Sequence, residues 1–177
     1  TGISVPALPR FEEIGPVEKQ PMSAIRKATA RQMNLSWSIV PHVTQNDLVD
    51  ITDFENFRRS ESKGPKFTIT AFALKAAAVL LQEFPVFNSS VDMQNNSIIY
   101  KKYYNIGVAV DTENGLLVPV IRDVDKKSIA ELAVELTSIA ERARQRKLDS
   151  KDLSGGTFTI TNLGGIGGTG FTPIVNY

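Results

Sequence analysis

The stretch Thr68-Ile-Thr-Ala-Phe-Ala-Leu-Lys-Ala-Ala-Ala-Val-Leu-Leu-Gln-Glu83 constrains this chain more than any other. It is apolar nearly all round and is stopped by Pro85, so it predicts a helix over about 68–83 that neighbouring elements must bury. A chain of 177 residues, 42% of them hydrophobic, can supply that surrounding core within one ordinary domain.

The elements around the helix are short. Residues 1–20 hold Pro6, Pro9 and Pro16 with no hydrophobic period, and predict an extended surface linker that reaches Pro21. Residues 21–177 read as the domain itself. A helix is predicted from Ser23 to about Leu35 and a strand over Ile39–Val49. Thr52 and Glu55 have capping-box spacing and open a short helix to about Arg59, followed by a polar loop over Ser60–Lys66. Further strands are predicted over Ser97–Lys101, Tyr103–Asp111, Leu116–Ile121 and Thr157–Thr161, with a turn at Asn114-Gly115. Ser128 and Glu131 form a second capping-box pair, before apolar residues recurring at helical spacing to about Lys147. Strands and helices do not alternate regularly. The pattern predicts an α+β domain with a mixed or antiparallel sheet and helices packed on one face.

Composition removes several chemistries. There is no cysteine, hence no thiolate nucleophile or thiolate metal site, and the single histidine, His42, cannot form a histidine cluster. No metal is expected. A net charge of +1 gives no global field to attract nucleic acid, and no apolar run reaches the ~18 residues of a membrane span.

The remaining motifs each carry two readings. Gly165-Ile-Gly-Gly-Thr-Gly170 has the letters of a dinucleotide loop, but Phe171-Thr-Pro173 follows where a helix should open, so tight backbone turns are the better account. His42, between Pro41 and Val43 and without a nucleophile elbow in the chain, reads as a structural histidine. Arg58-Arg59 is either a solvated helix end or a phosphate clamp. Asp111 is by default a turn residue. Thr161, closing an alternating strand, is either a plain strand threonine or an oxyanion donor.

Read together, several stretches resemble the catalytic domain of the dihydrolipoamide acyltransferases of 2-oxo-acid dehydrogenase complexes, most closely the acetyl-transferring pyruvate dehydrogenase branch. They are Met22-Ser-Ala-Ile-Arg-Lys27, Val40-Pro-His-Val-Thr-Gln45, Phe87-Asn-Ser-Ser-Val91, Tyr104-Asn-Ile-Gly-Val-Ala-Val-Asp-Thr112, Gly115-Leu-Leu-Val-Pro-Val-Ile-Arg122, Gly156-Thr-Phe-Thr-Ile-Thr-Asn-Leu-Gly164 and Phe171-Thr-Pro-Ile-Val-Asn176.

The resemblance implies a chloramphenicol-acetyltransferase-like α+β fold whose C-terminal part lies beyond Tyr177. It implies acetyl transfer between dihydrolipoamide on a lipoyl domain and coenzyme A. It also implies trimers that build a core of about 24 or 60 copies, with decarboxylase and dihydrolipoamide dehydrogenase components held through other domains. The setting would be the bacterial cytoplasm or the mitochondrial matrix.

At the level of residues, the resemblance makes Thr161 the oxyanion donor and Arg58, Thr68, Asp111 and Asn162 coenzyme A contacts. The family's general base is a histidine in a D-H-R-x-x-x-G-like motif after the T-P-I-V-N stretch. The chain as given is therefore expected to lack turnover, since a general base is worth a factor of roughly 100 to 10,000. Succinyl or branched-chain acyl transfer, and a non-catalytic core-building role, stay open as alternatives.

Overall fold

Ser23 starts the first helix. In the computed structural model its hydroxyl accepts the backbone N–H of Arg26, and α1 runs Ala24–Ile39, past the predicted end at Leu35. The structure describes residues 6–61, 67–113, 115–165 and 167–177. They fall into two units, Thr1–Asp47 with Gly170–Tyr177, and Leu48–Thr169.

In the smaller unit the segment 170–177 is tied to α1. Gln32 donates from Nε2 to Asn176 Oδ1 at 3.0 Å and to the Tyr177 carbonyl at 2.9 Å. The fully buried Ser36 hydroxyl accepts the Tyr177 N–H at 3.0 Å. The strand predicted over Ile39–Val49 does not form. Ile39 belongs to α1, and residues 41–50 join no ladder among the described residues. Val43 and Leu48 are each 94% exposed. A β-rich composition becomes a strand only where a second strand takes up its backbone groups.

In the larger unit α2 spans Thr52–Ser60, but not through the predicted capping box. Asp50 Oδ1 accepts both the N–H and the hydroxyl of Thr52, at 2.9 and 2.6 Å, while Glu55 turns to Arg58. The long apolar helix α3 spans Ile69–Glu83 and is capped by the Thr68 hydroxyl, which accepts the Ala71 N–H. Its burial is one-sided. Ala71, Leu74, Ala78 and Leu81 are buried, whereas Val79 and Leu80 are about half exposed, because only one face meets the sheet and α4. Edge-on contact of Phe72 with Phe54 at 4.8 Å packs α2 against its start.

The strands are shorter and more numerous than predicted. β1 (Ser89–Asp92), absent from the sequence reading, pairs antiparallel with β2 (Ser97–Tyr100). The run Tyr103–Asp111 divides into β3 (Ile106–Val108) and β4 (Val110–Thr112), and Leu116–Ile121 into β5 (Gly115–Leu117) and β6 (Val120–Ile121). Pro119, fully buried between β5 and β6, has no N–H to continue a ladder. β4 pairs with β5 across a turn whose Asn114 lies outside the described residues, as does most of the Ser60–Lys66 loop. β3 is central, antiparallel to β6 and parallel to β7 (Phe158–Ile160), which gives the expected mixed sheet. Ser128 and Glu131 complete their capping box in both directions and open α4 (Ile129–Arg144).

The core is where α3 and α4 lie on one face of the central sheet. It is made by Leu74, Ala78 and Leu81 from α3, Ile106, Val108 and Ile121 from the sheet, and Leu132 and Ile139 from α4. Phe158, at the start of β7, is 39% exposed, whereas Ile160 at its end packs against this core. Gly107 sits between the two core-facing residues of β3. A side chain there would place Cβ 2.8 Å from Val118 Cγ1 and 3.2 Å from Thr159 Oγ1. The glycine-rich segment contains Gly167 and Gly168 at φ +87° and +107°, and no helix follows it, as the turn reading requires.

Candidate functional site

The end of β3 with the start of β4, Arg58 of α2, the start of α3, the second half of α4 and the residues just after β7 together frame an open cavity of about 500 Å³. Arg58, Thr68, Asp111 and Asn162, four residues singled out from widely separated parts of the sequence, all line it. Thr161 does not. It is half-buried at the end of β7, one residue before Asn162.

Each side chain is held locally. Arg58 donates from Nε and Nη2 to the two carboxylate oxygens of Glu55 at 2.7 and 2.8 Å, and from Nη1 to the Phe67 carbonyl at 2.8 Å. Three of its five N–H donors are thus committed, and its charge is largely matched. The hydrogen bond from Arg58 holds the Glu55 carboxyl below the usual range, and Glu55 in turn raises Arg58. Arg59 lies 3.5 Å from the same carboxylate.

Thr68 uses its hydroxyl as the α3 cap, so the N-terminal end of α3, with Ile69 and Thr70, forms one wall of the cavity. That end carries partial positive charge. Asn162 donates from Nδ2 to Thr70 Oγ1 at 3.2 Å and accepts the Gly164 N–H at 2.9 Å. Thr70 was not foreseen. Its hydroxyl lies two residues past the capping Thr68, and only the fold turns it toward Asn162. Asp111, exposed on β4, adds a carboxylate to the lining.

The cavity wall from α4 is Leu136, Ala140 and Arg144. These recur at intervals of four and share one helix face. Arg144 was read from sequence only as part of the basic last turn of its helix.

His42 plays the structural part expected of it. Nδ1 is 2.8 Å from the Val40 carbonyl and Nε2 accepts the Val175 N–H at 2.9 Å, while the ring stacks on Trp37 at 5.1 Å. With Nε2 accepting, the proton sits on Nδ1, and both ring nitrogens are occupied. No group of three or more metal-ligating side chains occurs among the described residues.

The site thus lies in an α+β domain, in an open cavity lined by both polar and apolar residues between the N-terminal end of α3 and the strands. The comparisons give this class a family. The family model for 2-oxoacid dehydrogenases acyltransferase (catalytic domain) matches residues 15–177. The chain belongs to this acyltransferase family.

The chain is 49% identical over 182 residues to the dihydrolipoyllysine-residue acetyltransferase component of the pyruvate dehydrogenase complex of Pseudomonas aeruginosa, covering 99% of this chain and 33% of that protein. The same component of Bacillus subtilis is 41% identical over 176 residues, 97% of this chain and 40% of that protein. The chain therefore spans about a third of the length of the first of these relatives. Among solved structures, the dihydrolipoamide acetyltransferase of Azotobacter vinelandii aligns with a TM-score of 0.90 at 47% identity, covering 97% of this chain and 74% of that one. The cubic core of a pyruvate dehydrogenase multienzyme complex aligns equally well, with the same identity and coverage. A truncated catalytic core of the 2-oxoacid dehydrogenase complex of Thermoplasma acidophilum aligns at 0.84 and 39% identity, over 91% of this chain and 76% of that one. These neighbours agree with the chloramphenicol-acetyltransferase-like α+β fold expected from the resemblance.

Proposed function

We propose that this chain carries the coenzyme A side of a dihydrolipoamide acetyltransferase, which moves an acetyl group between dihydrolipoamide on a lipoyl domain and the coenzyme A thiol. The observation that supports it most is the meeting of Arg58, Thr68, Asp111 and Asn162 on one cavity. Coenzyme A needs such a site. Its phosphates suit the positive end of α3 and the remaining donors of Arg58, and its amide N–H groups suit the Asp111 carboxylate. Asn162 holds the end of β7 to α3 and so steadies Thr161 beside it.

In this reading Thr161 donates its hydroxyl to the thioester oxygen as negative charge develops there. Such a donor typically contributes ~3–4 kcal/mol to lowering the barrier. Proton removal from a thiol of pKa ~8.5 is assigned to none of the described residues, since the one histidine is engaged with Val40 and Val175.

Residues 1–20 serve as an interdomain linker, and the chain contributes to a trimer-based core of about 24 or 60 copies that gathers the decarboxylase and dihydrolipoamide dehydrogenase components. The exposed Trp37, Val43 and Val175 of the smaller unit favour such self-association. The relatives named above from Pseudomonas and Bacillus favour a bacterial cytoplasmic setting, and no helix among the described residues is long and apolar enough to cross a membrane.

Calorimetric titration of the full-length protein with coenzyme A, with an acetyl-transfer assay from acetyl-coenzyme A to dihydrolipoamide, tests the reading. Saturable binding and transfer are expected. A protein that does not bind coenzyme A does not have this function.

A further inference from the structure

The charges lining the cavity are unevenly matched. Arg58 faces Glu55 at hydrogen-bond distance through both carboxylate oxygens. At the end of α4, Arg142 pairs with Asp152, and Arg146 lies 3.9 Å from Glu113. The Arg144 side chain, between them, makes no ion pair or hydrogen bond among the described residues, and the residues outside that set include no aspartate or glutamate. It is nevertheless the one of these three that lines the cavity, in the stripe Leu136, Ala140, Arg144.

Asp111 lines the same cavity but forms no ion pair with Arg144 among the described residues, and an unpaired guanidinium in a cavity wall is open to a bidentate phosphate contact. Another part of the lining, at Thr68–Thr70, already offers the positive end of α3. The two positive walls belong to different elements, and coenzyme A carries two separate anionic groups, an internal diphosphate and a terminal phosphomonoester. Arg144 is the exposed member. An exposed cation suits the end group, which reaches its partner without being threaded past it and carries the larger charge per phosphorus.

We infer that Arg144 binds the terminal phosphomonoester of coenzyme A and so makes the site select the 3′-phosphorylated coenzyme. This inference rests on the coenzyme A reading of the cavity. As an exposed side chain, Arg144 can be changed without disturbing the core.

The test is titration of the full-length protein with coenzyme A and with dephospho-coenzyme A. Arg144→Gln is expected to weaken coenzyme A binding by about tenfold and to leave dephospho-coenzyme A unaffected, since a hydrogen bond to a charged group is worth ~1.5 kcal/mol or more. Arg144→Lys should recover part of the loss, and Arg146→Gln, two residues further along and outside the lining, should bind both ligands as the parent does. Equal weakening of both ligands, no weakening of either, or an equal loss in Arg146→Gln would each overturn the assignment. A parent protein that binds neither ligand would instead bring down the coenzyme A reading itself.

Discussion

Glu55 holds Arg58 with both of its carboxylate oxygens, at 2.7 and 2.8 Å, while the same guanidinium reaches the Phe67 carbonyl. The pair joins α2 to the segment that leads into α3, so Arg58 positions the cavity wall as well as lining it. Arg58→Ala is expected to raise KM for coenzyme A about tenfold or more with little change in kcat, because a phosphate contact is the same in ground and transition states. Arg58→Lys should not rescue it, since one ammonium cannot span two carboxylate oxygens and a carbonyl. Steady-state kinetics decide, and a kcat loss as large as the KM change would move Arg58 into the reacting centre.

Thr161 should behave in the opposite way. Thr161→Ala in the full-length enzyme is expected to lower kcat by roughly 100- to 1,000-fold while KM for coenzyme A changes little, as for the loss of one oxyanion donor. Thr161→Ser keeps the hydroxyl and should keep most activity. A Thr161→Ala enzyme with near-normal kcat leaves Thr161 as a plain strand residue.

Gly107 tests the packing behind the site. Gly107→Ala places a methyl group 2.8 Å from Val118 Cγ1, closer than real contacts allow. It should cost about 1–3 kcal/mol by overpacking, read from the denaturant midpoint at constant m-value. Adding Val118→Ala removes the clashing carbon and should return part of the loss. If the double variant is destabilised by the sum of the two single effects, the contact is not the cause.

Acid sensitivity should trace in part to Asp152. Its carboxylate accepts the Asp149 N–H at 2.9 Å and pairs with Arg142, and these contacts lower its pKa below the ordinary 3.8, the backbone hydrogen bond first. A depressed carboxylate stabilises the fold at pH values above 3.8 and loses that contribution as pH falls through the depressed value. Asp152→Asn is therefore expected to lower Tm at neutral pH, with the difference from the parent shrinking as the pH drops below 3.8. A Tm difference that stays constant through that range would remove Asp152 from the acid response.

Local signals in the chain carried much of this structure. Ser128 and Glu131 marked the start of α4, Pro85 the end of α3 and the alternation from Thr157 the strand β7, because caps, breakers and period-two patterns act over a few neighbouring residues. The family was also legible, since motif order and spacing are one-dimensional facts.

What sequence could not determine was pairing across distance. Residues 41–50 include Val43, Thr44 and Val49 yet are assigned to no strand among the described residues, β1 was invisible until β2 lay beside it, and the apolar run of α3 gave no sign that Val79 and Leu80 would stay half exposed. The cavity depended on the same kind of information. Arg58, Thr68, Asp111 and Asn162 could be named from the resemblance. That Glu55 would neutralise Arg58 while Arg144, in the same lining, stood without an ion pair among the described residues was decided by the tertiary structure, because charge matching depends on which side chains come within a few ångströms, and only the packing of α2, α3 and α4 sets those distances.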